Sequence, residues 1–276
     1  MRTQFRSVLQ SPHMKATIAR SWKKIVLPLF YGGTIFHGLT PARAEAREMT
    51  AVVSTVSEDY SRTMLANGSY QPETYAFGEG GIWRGAGYDA SLDHLSFARV
   101  ARAIAVSMER QNYLPARDPN RTRLLIMVYW GKTTGSFEHY THWDELEGRA
   151  FDLLDARTAP LLGYDSALAG SQGLEFTALR LRRQELLDEL EHNRYFVVLL
   201  AYDFQLLWKQ KKHKLLWETR FSIGEQRNSF DQQLLGMSQS ASRYFGQKSP
   251  GLIHQAFQQS VSLGEMQIIG VESEKN

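Results

Sequence analysis

Cysteine is absent from the chain, and its absence removes several kinds of chemistry together. Without it there are no disulfide bonds, thiolate metal ligands or cysteine nucleophiles, and no lipid-modified amino-terminal cysteine. A chain of 276 residues is long enough to bury a sizeable core without such cross-links. We therefore expect the fold to be held together by its core alone.

Acidic residues are absent from the first 44 positions, which hold seven of the 32 lysines and arginines. The whole chain has a formal net charge of +3, but the residues after position 44 combine 25 basic with 29 acidic side chains, a net charge of −4. A basic chain invites a nucleic-acid interpretation. Because the positive excess belongs to the leader, we expect no nucleic-acid partner.

The leader has the three parts of a secretory signal peptide. Basic residues precede an apolar segment from Ile25 to Leu39, and the small residues of Ala42-Arg43-Ala44 follow it. This pattern predicts a signal peptide over residues 1–44, cleaved before Glu45, with Met14 as an alternative start of translation. An uncleaved anchor or a basic tail are the alternatives, but the apolar segment is interrupted and shorter than the roughly 20 residues that span a bilayer. We expect an exported protein with no transmembrane span after cleavage.

The strongest structural pattern lies between Tyr195 and Gly224. Residues Tyr195–Tyr202 form a continuous apolar run, which is typical of a strand buried on both faces. From Leu215 to Ile223 the side chains alternate along the chain, as in a strand with one buried face. With a basic turn at Lys209–Lys212 between them, the two strands are predicted to form a long β-hairpin.

Further patterns add helices and strands around this hairpin. Ser96 or Asp93 can cap the first long helix, and Ser229 with Gln232 forms a capping box at the start of the last one. The predicted helices cover 94–112, 174–191 and 229–246, the predicted strands cover 50–56, 124–130 and 266–269, and a loop of small residues covers 156–173. The expected fold is therefore α+β: a single domain with a mixed sheet, helices packed on it and a helical insertion.

A glycine-rich stretch, Phe77–Tyr88, holds five glycines in twelve residues. Such a stretch can bind phosphate where it joins a strand to the start of a helix. No clear strand leads into this one, and Ile82 and Trp83 lie in its middle, so a surface loop is the favoured interpretation. A small-ligand pocket near the loop stays open as an alternative.

The sharpest chemical suggestion is the segment Glu138–Glu145, which contains two histidines three residues apart. On a helix such histidines share a face, and carboxylates stand nearby, so His139, His142 and Asp144 are candidate ligands of a divalent metal. Zinc sites need a third ligand with a defined placement, and no other histidine completes a known spacing. Solvated residues leading into a helix that Asp144 caps are therefore the favoured alternative.

The motifs of familiar enzyme classes are missing from the sequence. The segment Gly236–Ser240 lacks the second glycine of a serine-hydrolase elbow. Gly131-Lys132-Thr133 is similar to the end of a nucleotide-binding loop, but Ile126 stands where that motif requires a glycine. We expect a non-catalytic protein without a cofactor, and a metal-dependent hydrolase that uses His139 and His142 is the alternative.

The order of elements from 88 to 245 resembles an uncharacterised bacterial envelope family, Domain of Unknown Function family 4136. The resemblance rests on Asn112-Tyr113-Leu114-Pro115, on Val128-Tyr129-Trp130-Gly131, and on Tyr202-Asp203 followed by Leu216-Trp217-Glu218. It implies an exported bacterial α/β domain with no established activity, into which residues of about 132–194 are inserted. Members are often anchored as lipoproteins, and this chain lacks the cysteine for that. The expected partner is an envelope protein or a small ligand in the periplasm, at the cell surface or outside the cell.

Overall fold

The structure is a computed structural model that describes residues 49–83, 90–135, 157–171, 177–225 and 229–256. All of these belong to one unit, Ala44–Asn276. Their strands are β1 (Met49–Val56), β2 (Glu73–Ile82), β3 (Tyr113–Pro115), β4 (Leu124–Thr133), β5 (Arg194–Asp203), β6 (Leu215–Gly224) and β7 (Ile253–Ala256). They form one sheet in the order β3-β2-β4-β5-β6-β1-β7.

The sheet is mixed. Strand β2 is parallel to both of its neighbours, β3 and β4. All other neighbouring strands are antiparallel, including β1 with β6 and β7, β4 with β5, and β5 with β6. Together with the packed helices, this arrangement confirms the expected single α+β domain.

Helices lie on both faces of the sheet. Their bounds are α1 (Ala90–Asp93), α2 (Phe97–Glu109), α3 (157–162), α4 (Asp165–Gly170), α5 (Thr177–Glu191), α6 (Phe204–Gln210) and α7 (Phe230–Ala241). Ser96 caps α2 as predicted, since its side chain accepts a hydrogen bond from the backbone N–H of Arg99. Ser229 occupies the N-cap of α7, but its side chain makes no capping hydrogen bond, so the predicted capping box does not form.

Strand β5 is buried on both faces, as its continuous apolar run predicts. Val197 and Leu199 point into the core that α2 and α7 cover. Phe196 and Val198 point the other way, into the core that α3 and α5 cover. The central strand of the sheet is therefore shared between the two layers of packing.

The glycine-rich stretch is partly a strand, which corrects the loop interpretation for Phe77–Ile82. These residues end β2 and pair with Ile126–Trp130 of β4. The glycines are explained by packing: a Cβ at Gly78 would meet the side chain of Met127, and one at Gly80 would meet the ring of Tyr129. Glycine in a strand therefore marks close approach of a neighbour here rather than a loop.

Two further expectations are wrong. The loop predicted over 156–173 contains the helices α3 and α4 instead, and its alanines are strong helix formers. The first half of the basic turn predicted at Lys209–Lys212 belongs to α6, which includes Lys209 and ends where Lys211 adopts the left-handed conformation, with φ of 57°. Strand β7 was not predicted, and the strand expected over 266–269 lies outside the described residues.

The segment expected as an insertion connects two neighbouring strands. Strands β4 and β5 pair along their whole length, and the last pair is Thr133 with Arg194. The chain between them forms α3, α4 and α5 in its described parts. No helix in the described part of the chain is both long and apolar enough to cross a membrane.

Candidate functional site

The residues predicted as metal ligands cannot be placed. His139, His142 and Asp144 all lie outside the described residues, as do the leader and Tyr88 at the end of the glycine-rich stretch. Within the described ranges, no three histidine or acidic side chains converge in a way that could hold a metal ion. Three polar clusters and one exposed surface of the described residues are therefore the candidate sites.

The first polar cluster surrounds Arg62, whose side chain is fully buried. Its Nη2 donates to the backbone oxygen of Gln111 at 2.7 Å, and its Nε lies 3.5 Å from Oε2 of Glu73. Tyr60 donates a hydrogen bond of 2.5 Å to the same carboxylate. Burial, with Tyr113 and Glu73 close by, raises the pKa of Tyr60 well above its ordinary value, so the hydroxyl stays protonated and remains a donor.

The second polar cluster is centred on Glu189 of α5. His254 of β7 lies 2.9 Å from its Oε1, Arg194 of β5 lies 3.5 Å from its Oε2, and Tyr164 donates a hydrogen bond to Oε2. On the other side of the imidazole, Nη2 of Arg182 lies 3.2 Å from Nδ1 of His254. An arginine can only donate, so Nδ1 accepts and Nε2 carries the hydrogen that faces Glu189. Both ring nitrogens are thus engaged, and the cluster ties α5 to the sheet.

The charge of Glu189 should make the stability of the protein depend on pH. Burial alone would raise the pKa of Glu189, but the hydrogen bond from His254, the charge of Arg194 and the hydrogen bond from Tyr164 together hold it below its ordinary value of 4.5. A depressed pKa means that the charged form stabilises the fold above pH 4.5 and that this contribution is lost as the pH falls through the folded pKa.

We expect Glu189→Gln to lower the free energy of unfolding by about 1–3 kcal/mol at neutral pH, because it removes charge-assisted hydrogen bonds. The loss should shrink as the pH falls below 4.5 and towards the lowered pKa of the folded protein, below which the wild-type carboxyl is itself protonated. Denaturant titrations across this pH range measure both the loss of stability at neutral pH and its decrease at low pH. Glu185→Gln, on the same helix with a side chain 63% exposed, is the matched control and should change little. Equal losses in the two variants would contradict the prediction.

The third polar cluster closes one end of the sheet. Glu225, just after β6, accepts hydrogen bonds from Lys132 at 2.8 Å, from Asn193 at 2.8 Å and from Tyr195 at 3.1 Å. Lys132 belongs to the segment that is similar to a nucleotide-binding loop. Its ammonium group is paired with a carboxylate in this fold, which accounts for a lysine at that position.

A different kind of surface lies at the opposite end of the sheet, where β5 ends and β6 begins. We call it the tip surface and define it by six residues of the connection: Phe204, Trp208, Lys209, Lys211, Lys212 and Leu215. No residue of α6 is fully buried, although the helix has an apolar sequence. The side chain of Trp208 is 51% exposed and that of Leu215 is 39% exposed. The tip surface therefore presents apolar side chains to solvent beside a group of lysines.

Local contacts fix the position of α6 within the tip surface. Asp203 caps the helix by accepting a hydrogen bond of 2.9 Å from the backbone N–H of Leu206. Gln205 donates to the backbone oxygens of Pro119 and Thr122, at 2.8 and 2.7 Å. The ring of Trp208 stacks on that of Phe204, with centroids 5.8 Å apart. The helix is thus held by polar contacts while its apolar side chains stay accessible.

Sequence patterns did not reveal this surface because Lys209–Lys212 has the composition of an ordinary turn. A signal was present in the tryptophan, three leucines and four lysines among residues 206–215. The exposure of Leu215 is a separate feature. The register of β5 and β6 shifts between Ala201 and Tyr202, and beyond the shift Leu215 is exposed although it continues the alternation of the buried face.

Comparisons with known proteins assign no family. No family model matches the chain, and no curated protein matches it. Among solved structures, a PDZ domain protein from Parabacteroides distasonis ATCC 8503 is similar over 75% of this chain, with 13% sequence identity and a TM-score of 0.40. The chain spans 39% of the length of that protein. A likeness at this level assigns neither a fold family nor a function.

Proposed function

We propose that this protein is exported by a bacterium and acts in the cell envelope by binding a partner rather than by catalysis. The tip surface carries the proposal, because exposed apolar side chains beside a cluster of like charges are typical of an interaction site. The signal-peptide pattern of residues 1–44 supports export. The resemblance to Domain of Unknown Function family 4136 supports a place in the envelope.

The use of the buried ionisable groups also supports a binding role. Glu73, Glu189 and Glu225 each contact two or more donors from other elements of the fold. Groups engaged in this way hold helices and strands together. The exposed charges of the tip surface, by contrast, remain available to a partner.

Export is tested by sequencing the amino terminus of the protein isolated from its native host. We expect the mature chain to begin at or near Glu45, because signal peptidase cleaves after small residues such as those of Ala42-Arg43-Ala44. Cell fractionation of the same sample should place the protein in the envelope or the medium. Recovery of an intact leader on protein from the cytoplasm would contradict export.

The second half of the proposal, binding without catalysis, is tested separately by zinc titration. If His139 and His142 formed a catalytic zinc site, calorimetric titration of the metal-stripped protein with zinc would show tight binding, and the double variant His139→Ala, His142→Ala would lose it. We expect weak heats that the double variant leaves unchanged. Tight binding lost in that variant would favour a metal-dependent hydrolase instead.

A further inference from the structure

Positive charge is concentrated at the tip surface, and the described part of the chain places no acidic partner beside it. Lys209, Lys211 and Lys212 are all exposed, and among the described residues none of them forms a salt bridge. The nearest acids in sequence are both engaged: Asp203 is the N-cap of α6, and Glu218 pairs with Arg220. Lys214 contacts Asp59, so that pair is neutral overall. Within the described ranges the surface therefore carries three cations that no acidic side chain compensates.

Charges of both signs and one more apolar side chain lie at the same end of the sheet. The chain leading into β4 carries Arg117, Asp118 and Arg121, all exposed, with a net charge of +1. This segment lies against α6, because Gln205 bonds to its backbone oxygens. Leu114, on the edge strand β3, is 45% exposed. The whole end of the sheet thus combines positive charge with accessible apolar side chains.

A tryptophan and a lysine lie close together at this end of the sheet, and both residue types are suited to the interface between a bilayer and water. Nζ of Lys211 lies 5.8 Å from the ring of Trp208, so the charge and the aromatic ring share one small area. Tryptophan is enriched at membrane interfaces because its ring is apolar and its N–H is polar. Lysine has a long apolar stem and a mobile charge, so it can reach headgroups while its stem covers apolar surface.

We propose that the tip surface binds the anionic headgroups of a lipid bilayer, with Trp208 inserted at the level of the headgroups. This rests on the proposed function, because an exported envelope protein meets such a surface. The alternative occupant is an acidic polypeptide. The exposed tryptophan favours the bilayer, since the headgroup region accommodates a ring that is apolar and carries a polar N–H, whereas an acidic polypeptide is recognised through charge alone.

The fixed position of α6 also favours binding to a surface. The cap at Asp203 and the bonds of Gln205 hold the helix before any partner is present. Trp208 therefore needs no ordering of the backbone to enter the headgroup layer, and the entropy cost of binding is reduced.

The test uses the full chain and vesicles made of phosphatidylglycerol and phosphatidylcholine in equal amounts, with phosphatidylcholine alone as the uncharged comparison. The main measurement is the quenching of tryptophan fluorescence by brominated lipid, in the wild type and in Trp208→Phe. The difference between these two proteins reports on the tip surface alone, whatever the leader contributes to attachment. With the anionic vesicles we expect quenching in the wild type and weaker quenching in Trp208→Phe. With phosphatidylcholine alone we expect no difference between the two proteins.

Affinity should depend on the three lysines together. The triple variant Lys209→Gln, Lys211→Gln, Lys212→Gln should bind the anionic vesicles roughly 100-fold more weakly, at about fivefold for each charge. Raising the salt from about 0.1 M to about 0.5 M should weaken the wild type strongly, because the exposed charges become screened. The matched control has the same loss of charge at exposed sites elsewhere: Arg102→Gln, Arg157→Gln, Lys248→Gln.

Three outcomes would overturn the proposal. One is equal quenching in the wild type and Trp208→Phe, and another is an equal loss of affinity in the tip and control triple variants. The third is binding to polyglutamate that the tip variants weaken while Trp208 stays unquenched by lipid, which would replace the bilayer by an acidic polypeptide. Each of these three outcomes can be observed with a protein whose amino terminus is found at Glu45. Failure of lipid binding can therefore be distinguished from failure of export.

Discussion

Replacing Glu73 with alanine is expected to lower the free energy of unfolding by about 3–5 kcal/mol, the range observed when one partner of a buried ion pair is removed. The side chain of Arg62 is 0% exposed and that of Glu73 is 5% exposed. The variant would leave the guanidinium buried without its nearest counter-charge. Since burial of an unpaired charge is among the largest single costs in a folded protein, we expect this substitution to rank with the most damaging ones.

The surroundings of Arg62 explain why no other group would replace the lost carboxylate. The guanidinium carbon lies 4.4 Å from the ring centroid of Tyr70 and 3.9 Å from that of Tyr113, so two aromatic faces enclose it. Among the residues that the structure describes, its Nη1 has no hydrogen-bond partner, and Nη2 donates to the backbone oxygens of Gln111 and Gln71. Water therefore has little room to compensate the charge.

Two comparisons make this prediction specific, both measured by denaturant unfolding. Glu79→Ala lies in the same strand at an exposed position and should change stability by no more than about 0.5 kcal/mol. The double variant Arg62→Met, Glu73→Ala removes the buried charge as well, so it should be more stable than Glu73→Ala alone. Similar losses for Glu73→Ala and Glu79→Ala would show that the ion pair does not stabilise the fold.

Regular side-chain patterns made much of the fold predictable from the sequence. The apolar run of β5 and the alternation in β6 are local signals, because each strand meets a uniform environment on each face. Helices α2 and α7 were predictable for the same reason, since their buried residues recur at helical spacing. Each of these elements could therefore be predicted without knowing which part of the chain packs against it.

The features that escaped prediction depend on distant parts of the chain. The glycines of β2 are suited to a strand only because Met127 and Tyr129 of β4 pack across them. Arg62 and Glu73 are paired by the course of an irregular segment, and no spacing rule applies to it. The tip surface could be suspected from its tryptophan and lysines, but it also includes Leu215, which lies beyond the shift in register between β5 and β6.

The shared position of β5 makes it the centre of stability, and Leu199→Ala should test this. Leu199 is 0% exposed and pairs with Val128 of β4 and Thr219 of β6. We expect the substitution to lower the free energy of unfolding by about 2–5 kcal/mol, because it removes buried methyl groups and leaves a cavity. The neighbouring strands are themselves fixed by their pairing, so the site can collapse only partly around the smaller side chain.

Two control variants separate this effect from a general intolerance of substitution. Leu181→Ala makes the same chemical change on α5, where the leucine is 60% exposed, and should cost no more than about 0.5 kcal/mol. Lys211→Ala, at the exposed end of α6, should also stay within about 0.5 kcal/mol. All three are compared in one set of denaturant titrations. If Leu199→Ala lost no more stability than Leu181→Ala, the core that α2 and α7 form with β5 would not be what holds the sheet together.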